Sequence, residues 1–436
     1  MATRKAVEEL FERISQIHPE VIEWRHHLHQ YPELSNRETK TADFIVQRLR
    51  EFGFDSADIR TGLGGHGVLA ALKGQAAGES EKAILLRADI DALPVKEDSG
   101  LDFASQEVDT EYPGGPFPIA HACGHDCHTA MLLGAARVLA QRREDFAGTV
   151  YFAFQPAEEG APVGEEGGAK LMLEDAVFDQ LDPQPQTSFG MHVMPLPKGS
   201  VSYRTGVQHA SSERVKITIH GEQVHGSMPW EGIDPLPAAA DVISAMGQIY
   251  RQFNSQDAFT ISLGHVEDQG RFNIVGGAVT LWGTVRCLKD GMMEEVNEKI
   301  ARTATHIAQA YGCTAEAEFD QYVPAVVNSP EDIEAMLPAF EAAAGAKERV
   351  GEVPALMGYD DVSEFINRYG GVYALLGVQD AVLTEEGQLV PEEGGRGVVP
   401  NHSPKFYADD DALETGVRLH VAVALTHLAG LSGKRE

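Results

Sequence analysis

Cationic side chains are scarce: 35 lysines and arginines stand against 66 aspartates and glutamates, a net charge of −31. A surface this acidic repels phosphate backbones and anionic headgroups, which argues against nucleic acid and membrane partners. Cysteine is scarcer still. Four in 436 residues (Cys123, Cys127, Cys287, Cys313) are too few for a disulfide scaffold and suit a reducing cytoplasm. Long apolar runs are missing as well. Glu8 and Glu9 stand where a signal peptide needs an apolar stretch. The longest apolar run near the C-terminus, Leu419 to Leu431, contains two histidines and is too short to span a bilayer. No heptad or solenoid repeat occurs. What is present is a globular composition, 43% hydrophobic and 23% charged, in a chain long enough for two domains.

Val7, Leu10, Phe11, Ile14 and Ile17 recur at helical spacing. A second helix is expected around Phe44, Ile45 and Leu49, opened by a capping box of Ser35 and Glu38 and closed before Gly53. Short apolar runs at 67–72, 83–86, 149–154 and 188–193 read as strands, with a helix over about 129–142 between the second and third. Helices alternating with fully apolar strands predict an α/β sheet buried on both faces. From about His209 the order changes to strand (214–220), helix (236–253), strand (259–266), strand (279–288), helix (292–311) and strand (314–319). That βαββαβ order is ferredoxin-like. It predicts an inserted domain over 209–323, with the sheet domain made of 1–208 and 324–436. Residues 379–399, rich in Glu and Gly, read as a surface loop.

Metal-binding residue types gather at four separated places, each at an expected strand end or loop. In His121-Ala122-Cys123-Gly124-His125-Asp126-Cys127-His128, one glycine separates Cys123 from His125, so both could reach one ion. Glu158 and Glu159 follow a buried strand, His192 lies near the end of another, and His402 sits in Asn401-His402-Ser403-Pro404. Open α/β sheets place their sites at the carboxyl ends of strands. Of two adjacent glutamates, one can ligate a metal while the other takes a proton from the water the metal activates. Mixed Cys, His and Glu ligands suit zinc or another borderline ion better than magnesium or calcium. Each feature also has a plainer reading. A lone histidine is more often a satisfied core or surface residue, adjacent glutamates are usually a solvated loop, and Cys123 could be a thiol nucleophile. The run Trp24-Arg25-His26-His27-Leu28-His29 reads as structural packing on a helix.

The chain resembles the M20 metallopeptidase family, in its branch of hippurate hydrolases, N-acyl-amino-acid amidohydrolases and auxin-conjugate hydrolases. The resemblance runs nearly the full length. It rests on residues 28–35 (Leu28-His29-Gln30-Tyr31-Pro32-Glu33-Leu34-Ser35), on 86–94 (Leu86-Arg87-Ala88-Asp89-Ile90-Asp91-Ala92-Leu93-Pro94), and on the Cys123–Asp126 motif. It continues through Phe154–Gly160, Gly190–His192 and Asn401–Phe406.

The resemblance implies a zinc-exopeptidase-like catalytic domain with a central mixed sheet flanked by helices, and an inserted lid and dimerisation domain. It implies Cys123, His125, Glu159, His192 and His402 as ligands of a divalent centre, with two ions per subunit (Zn2+ or Mn2+, with Co2+ or Ni2+ as alternatives). Glu158 is implied as general acid/base and Asp91 as the group that orients a ligand. Asp89 stands where more distant relatives place a histidine ligand, and its role is left open. In the insert, the segment from Gly221 to Pro229 resembles the lid motif, whose histidine, here His225, reaches the partner subunit's site in a homodimer. Asn273 and Arg286 match positions that hold the substrate's carboxylate. The chain departs from the pattern at Trp230, where a second histidine is usual, and at Gly358-Tyr359-Asp360-Asp361-Val362, where Gly-Gly-Glu-Asp-Phe is usual. Both departures bear on substrate identity. The expected activity is hydrolysis of the amide bond of an N-acyl amino acid or short peptide with a free carboxylate. The alternatives are a dipeptidase or carboxypeptidase, or an N-acyl-diaminopimelate deacylase, of the same family.

Overall fold

The computed structural model describes residues 2–76, 80–162, 164–289, 291–384 and 386–429, and the side chains from residue 9 onward. The side chain of Val7 and the end of the Leu419–Leu431 run therefore lie outside the described residues. The chain divides into two compact units. One comprises Met1–Gly206, Asn328–Val353 and Glu364–Glu436; the other comprises Val207–Val327 and Pro354–Ser363. No described helix is long and apolar enough to cross a membrane. All four cysteines are buried and none forms a disulfide.

The first unit is built on an eight-stranded mixed sheet. Its order is Ile59–Leu63, Gly67–Lys73, Thr149–Gln155, Ala83–Asp89, Ser188–Pro197, Gly371–Gln379, Val201–Tyr203, Val350–Glu352. The four middle strands, Thr149–Gln155 through Gly371–Gln379, run parallel. Every residue of Ala83–Asp89, Thr149–Gln155 and Gly371–Gln379 is buried. Successive side chains of a strand point to opposite faces. Ile84, Leu86, Ala88, Val150, Phe152 and Phe154 accordingly join the larger core, under the helices Ala2–Gln30, His125–Ala140 and Leu413–Ala429. Ala83, Leu85, Tyr151 and Ala153 join a smaller core with Met172, Phe178 and Phe365. Burial on both faces is why these strands read as continuous apolar runs.

Local details depart from expectation. The second helix forms over Thr39–Glu51, but the capping box does not: Glu38 makes no side-chain cap bond. The Glu33 carboxylate caps the first turn instead, accepting from the backbone N–H and hydroxyl of Thr41 at 2.9 and 3.0 Å. Ser35 and Glu38 turn inward to buried partners, which lose more when left unpaired than a helix N–H that water can reach. The third helix starts at His125, four residues earlier than expected. Gly124, at φ 90°, makes the sharp entry, and a Cβ there would lie 2.3 Å from Val193 Cγ2. His192 falls in the middle of a strand, Ser188–Pro197, that continues beyond it. Within 379–399 a short hairpin forms, Ala381–Leu383 with Leu389–Pro391.

The second unit has the expected βαββαβ order. Its antiparallel strands lie in the order Phe259–Asp268, Ala278–Cys287, Ser211–His220, Thr314–Val323. The helices Pro235–Met246 and Met292–Ala310 cover one face, on Val215, Ile217, Ile219, Val279, Leu281 and Val285. The other face carries cross-strand ion pairs, Arg214–Asp320 at 2.6 Å and Lys216–Glu318 at 3.0 Å. One covered face explains the alternating pattern of these strands.

Candidate metal centre

Six of the residues singled out in the sequence, with Asp91 beneath them, come together at the carboxyl ends of the parallel strands. Asp91 follows the strand Ala83–Asp89, Glu158 and Glu159 follow Thr149–Gln155, and His192 lies on Ser188–Pro197. Cys123 and His125 flank Gly124 at the helix entry, and His402 is held in a loop at φ 67°. Cys123 Sγ lies 3.3 Å from His192 Nε2 and 3.3 Å from His402 Nε2. His402 Nε2 is 3.4 Å from Glu159 Oε1, and His125 Nε2 is 3.9 Å from the same oxygen and 3.8 Å from Glu158 Oε2.

The ligand atoms fall into overlapping triangles, each within 4.8 Å: Cys123–His125–His192 and Cys123–Glu159–His402, which share the thiol, and His125–Glu158–Glu159. Bonds of about 2.0–2.3 Å in tetrahedral geometry hold ligand atoms roughly 3.3–3.8 Å apart. The observed spacings therefore fit an ion. The orphaned atoms agree: His125 Nε2 and Glu159 Oε1 are buried with no hydrogen-bond partner. A buried polar atom without a partner is costly, and a cation supplies one.

Supporting bonds aim the imidazoles. His192 Nδ1 donates to the Val193 carbonyl at 2.8 Å, which leaves the Nε2 lone pair facing Cys123. His125 Nδ1 donates to Asp91 Oδ1 at 3.1 Å, turning its Nε2 into the cluster. Asp91 Oδ2 accepts from the Glu159 N–H at 3.0 Å and from Ser35 Oγ at 2.7 Å. Asp89 accepts from Arg87 at 2.7 Å and from His128 Nδ1 at 2.5 Å, and its Oδ1 also lies 3.8 Å from His125 Nδ1. His128 Nε2 in turn accepts from the Val193 N–H at 2.9 Å, fixing its tautomer and gripping the residue next to His192. Asn401 donates to the carbonyls of Cys123 and Val193. His121 stays out of the cluster, and burial lowers its pKa to about 4. Arg87 and His128 were given no role from the sequence, and Ser35 only that of a helix cap; the signal for their part in the site was their place inside or beside the quoted motifs.

The electrostatics are those of a site that wants a cation. Burial opposes charging His125, yet Asp89 and Asp91 outweigh it and raise its pKa to about 10. Burial, then Glu159, Glu158 and Asp89, push the Cys123 thiol well above its usual range. A thiol so held is protonated at neutral pH and a poor nucleophile, which weakens the thiol-hydrolase reading. An ion would relieve both effects.

The histidine-rich helix end forms a buried ion network and is not part of the cluster. Asp126 accepts from Arg25 Nε and His29 Nδ1, both at 2.8 Å, and His29 Nε2 meets Glu97 at 2.9 Å. Burial alone would lower the His29 pKa, but Asp126 and Glu97 raise it above its ordinary 6.5. Removing one hydrogen bond to a buried charge costs about 1.5–3 kcal/mol. His29→Ala protein is therefore expected to keep its metal and lose stability. The folded-state value is the raised one, so the stabilisation is fully present below the ordinary 6.5 and is lost as pH rises through the folded value. Denaturation of both proteins across that range checks this, and a gap that widens with pH would contradict it.

His225, Asn273 and Arg286 lie in the second unit, two of them at one end and Arg286 at the other. His225 pairs with Ile274, and the Gly226 N–H donates to the Asn273 carbonyl at 3.0 Å. On the neighbouring strand Ala278 pairs with His220 and Arg286 with Ser212, so roughly 25 Å of extended chain separates the two ends. Arg286 Nη1 donates to the Met357 carbonyl at 3.0 Å, and its guanidinium stacks 5.0 Å from the Tyr359 ring centre.

Comparison with known proteins places these residues in context. The model of peptidase family M20/M25/M40 matches residues 85–426. The chain is 32% identical over 423 residues to thermostable carboxypeptidase 1 of Saccharolobus solfataricus, covering 96% of this chain and 98% of that one. It is 34% identical over 326 residues to an N-acyl-L-amino acid amidohydrolase of Geobacillus stearothermophilus, covering 74% and 82%. Among solved structures it is similar to a dinuclear metal binding peptidase of the M20 family from Bacillus subtilis, with a TM-score of 0.74, 30% identity, and coverage of 95% and 99%.

Proposed function

Because the chain belongs to peptidase family M20/M25/M40 and is thereby a hydrolase of amide bonds, we propose that it cleaves N-acyl amino acids or related short peptide-like substrates that keep a free carboxylate. The observation that carries the reading is the pair Glu158 and Glu159: Glu159 belongs to the Cys123–His402 triangle, while Glu158 is in neither triangle that shares Cys123 and joins only His125 and Glu159 among the five proposed ligands. Divalent ions held by Cys123, His125, Glu159, His192 and His402 would acidify water and polarise the substrate carbonyl. Glu158 takes the proton of the attacking water and delivers it to the leaving amine. Asp91 keeps His125 and Glu159 in place. His225 donates to the oxygen where negative charge develops, and Arg286 offers a planar fork for the carboxylate. Sulfur, nitrogen and oxygen donors together suit zinc or another borderline ion, and the family resemblance adds manganese, with cobalt or nickel as alternatives. The four unpaired cysteines suit a cytoplasmic enzyme.

The reading gives His225 and Asn273 to the site of a partner subunit, in a homodimer joined through the inserted unit. Its support is the separation within one copy. Asn273 and Arg286 belong to opposite ends of the same sheet, roughly 25 Å apart along the strand, so one copy cannot close both on one small substrate. A twofold assembly resolves this, because each site then takes one end from each copy. Inactive Glu158→Gln protein mixed with inactive His225→Ala protein should recover part of its activity once subunits exchange. No recovery, with exchange verified by labelled subunits, would remove His225 from the partner's site.

A panel of N-acyl amino acids, dipeptides and N-acyl-diaminopimelate, run against zinc- and manganese-loaded enzyme, tests the substrate class. Acyl amino acids are expected to give the highest kcat/KM. Preference for unblocked dipeptides would favour the peptidase alternative, in keeping with the carboxypeptidase among its relatives. Trp230, 76% exposed, and Tyr359 are the positions expected to tune the choice.

A further inference from the structure

We propose that Glu38 is a positioning residue for Glu158, acting through the backbone of Ala157; this rests on the reading of Glu158 as general acid/base. Glu38 is completely buried. Its Oε1 accepts from the Ala157 N–H at 2.8 Å, while its Oε2 has no partner. Ala157 is one of the few non-glycine residues at positive φ, 54°, in the left-handed region that L side chains avoid. Such a conformation persists only where the surroundings dictate it. Here the preceding residue is Pro156, which has no N–H, so the Ala157 amide is the first donor after the strand Thr149–Gln155 that a partner can grip.

The arrangement on the other side of Glu158 is the same. The Glu159 N–H donates to Asp91 Oδ2, and Ser35 Oγ holds that oxygen at 2.7 Å. The amides immediately before and after the acid/base are thus each fixed by a buried carboxylate. One short segment organises both, since Ser35 and Glu38 are three residues apart. The same segment holds the far end of the loop: Asn36 Nδ2 donates to the Glu166 carbonyl at 2.9 Å, and Arg37 pairs with Glu165 at 2.7 Å. Residues 35–38 therefore frame the loop from Ala157 to Glu166. Without the acceptor, Ala157 keeps in its left-handed turn only the long 3.4 Å bond from the Gly160 N–H to its carbonyl, and Glu158 loses its aim. A displacement on the order of 1 Å at a reacting group costs up to ~10²-fold in rate.

The test compares near-isosteric replacements at 38. Glu38→Gln keeps an oxygen that can accept from Ala157, and Glu38→Met does not. The expected result is kcat within about threefold of wild type for Gln and a loss of roughly 10- to 100-fold for Met, with KM and metal content alike in the two and Tm lower for Met, which leaves the Ala157 amide unpaired. Equal kcat for Gln and Met overturns the proposal, as does metal loss that accounts for the whole defect. Should the Met protein fail to fold, Glu38→Asp replaces it. Asp keeps the carboxyl group but withdraws the oxygen by one carbon, so its kcat should fall below that of Gln, and the reverse order overturns the proposal. The Glu38→Met change should add less than about twofold to Glu158→Gln, as expected for two residues acting through one function. If Glu158→Gln alone keeps its kcat, the acid/base reading fails. If Glu158→Gln is inactive and Glu38→Met is not, only the role of Glu38 fails.

Discussion

Glu158→Gln protein is expected to fold, to bind metal in the wild-type amount, and to lose turnover by about 10²–10⁴-fold, the usual cost of deleting a general base. Glutamine has nearly the same shape and can keep neighbouring hydrogen bonds, so packing around this buried side chain should survive. What it lacks is a basic oxygen. The two triangles that share Cys123 draw on His125, Glu159, His192 and His402 and do not use residue 158. Rate and metal content should therefore separate. Steady-state kinetics beside elemental analysis of dialysed protein makes the measurement, and a kcat near wild type would remove Glu158 from the chemistry.

The second large effect is on metal content. Both triangles use the same sulfur, and Sγ is equally close to His192 and His402 at 3.3 Å. Cys123→Ala should therefore empty the whole centre, whereas His192→Ala and His402→Ala should each deplete it in part. A thermal readout accompanies this. An ion that binds the folded state alone raises Tm with its concentration, so wild-type protein should gain stability on adding zinc or manganese and Cys123→Ala should not. Activity abolished by a chelator and restored by metal would also separate this chemistry from a thiol nucleophile. A Cys123→Ala protein with its full metal complement would break the shared-ligand arrangement.

The course of the chain was legible wherever one periodicity ran undisturbed. Strands such as Thr149–Gln155, buried throughout, announced themselves as apolar runs, and the βαββαβ order over 214–319 was readable from the sequence and is present in the second unit. Boundaries were less legible, because the signal at an end is chemical. The third helix was expected near Thr129, yet the turn at Gly124 starts it at His125. Ser35 and Glu38 misled for a related reason. Their spacing is that of a capping box, but local spacing cannot register a competing partner 56 or 119 residues away.

By itself the sequence determined the alternation of helices and strands, the two kinds of sheet, and the residue types gathered as Cys123, His125, Glu158, Glu159, His192 and His402. All of these follow from short-range pattern and motif. Only the tertiary structure decided where each polar group turns. It paired Asp89 with Arg87 and His128, 3.8 Å from His125, and set Asp91 between His125 and the Glu159 amide. It also separated Asn273 from Arg286 by the length of a strand. The physical reason is the same for both aspartates. A buried polar atom takes the partner that leaves fewest groups unsatisfied, and that partner is set by which distant segments the fold brings within about 3 Å, a relation no local pattern encodes.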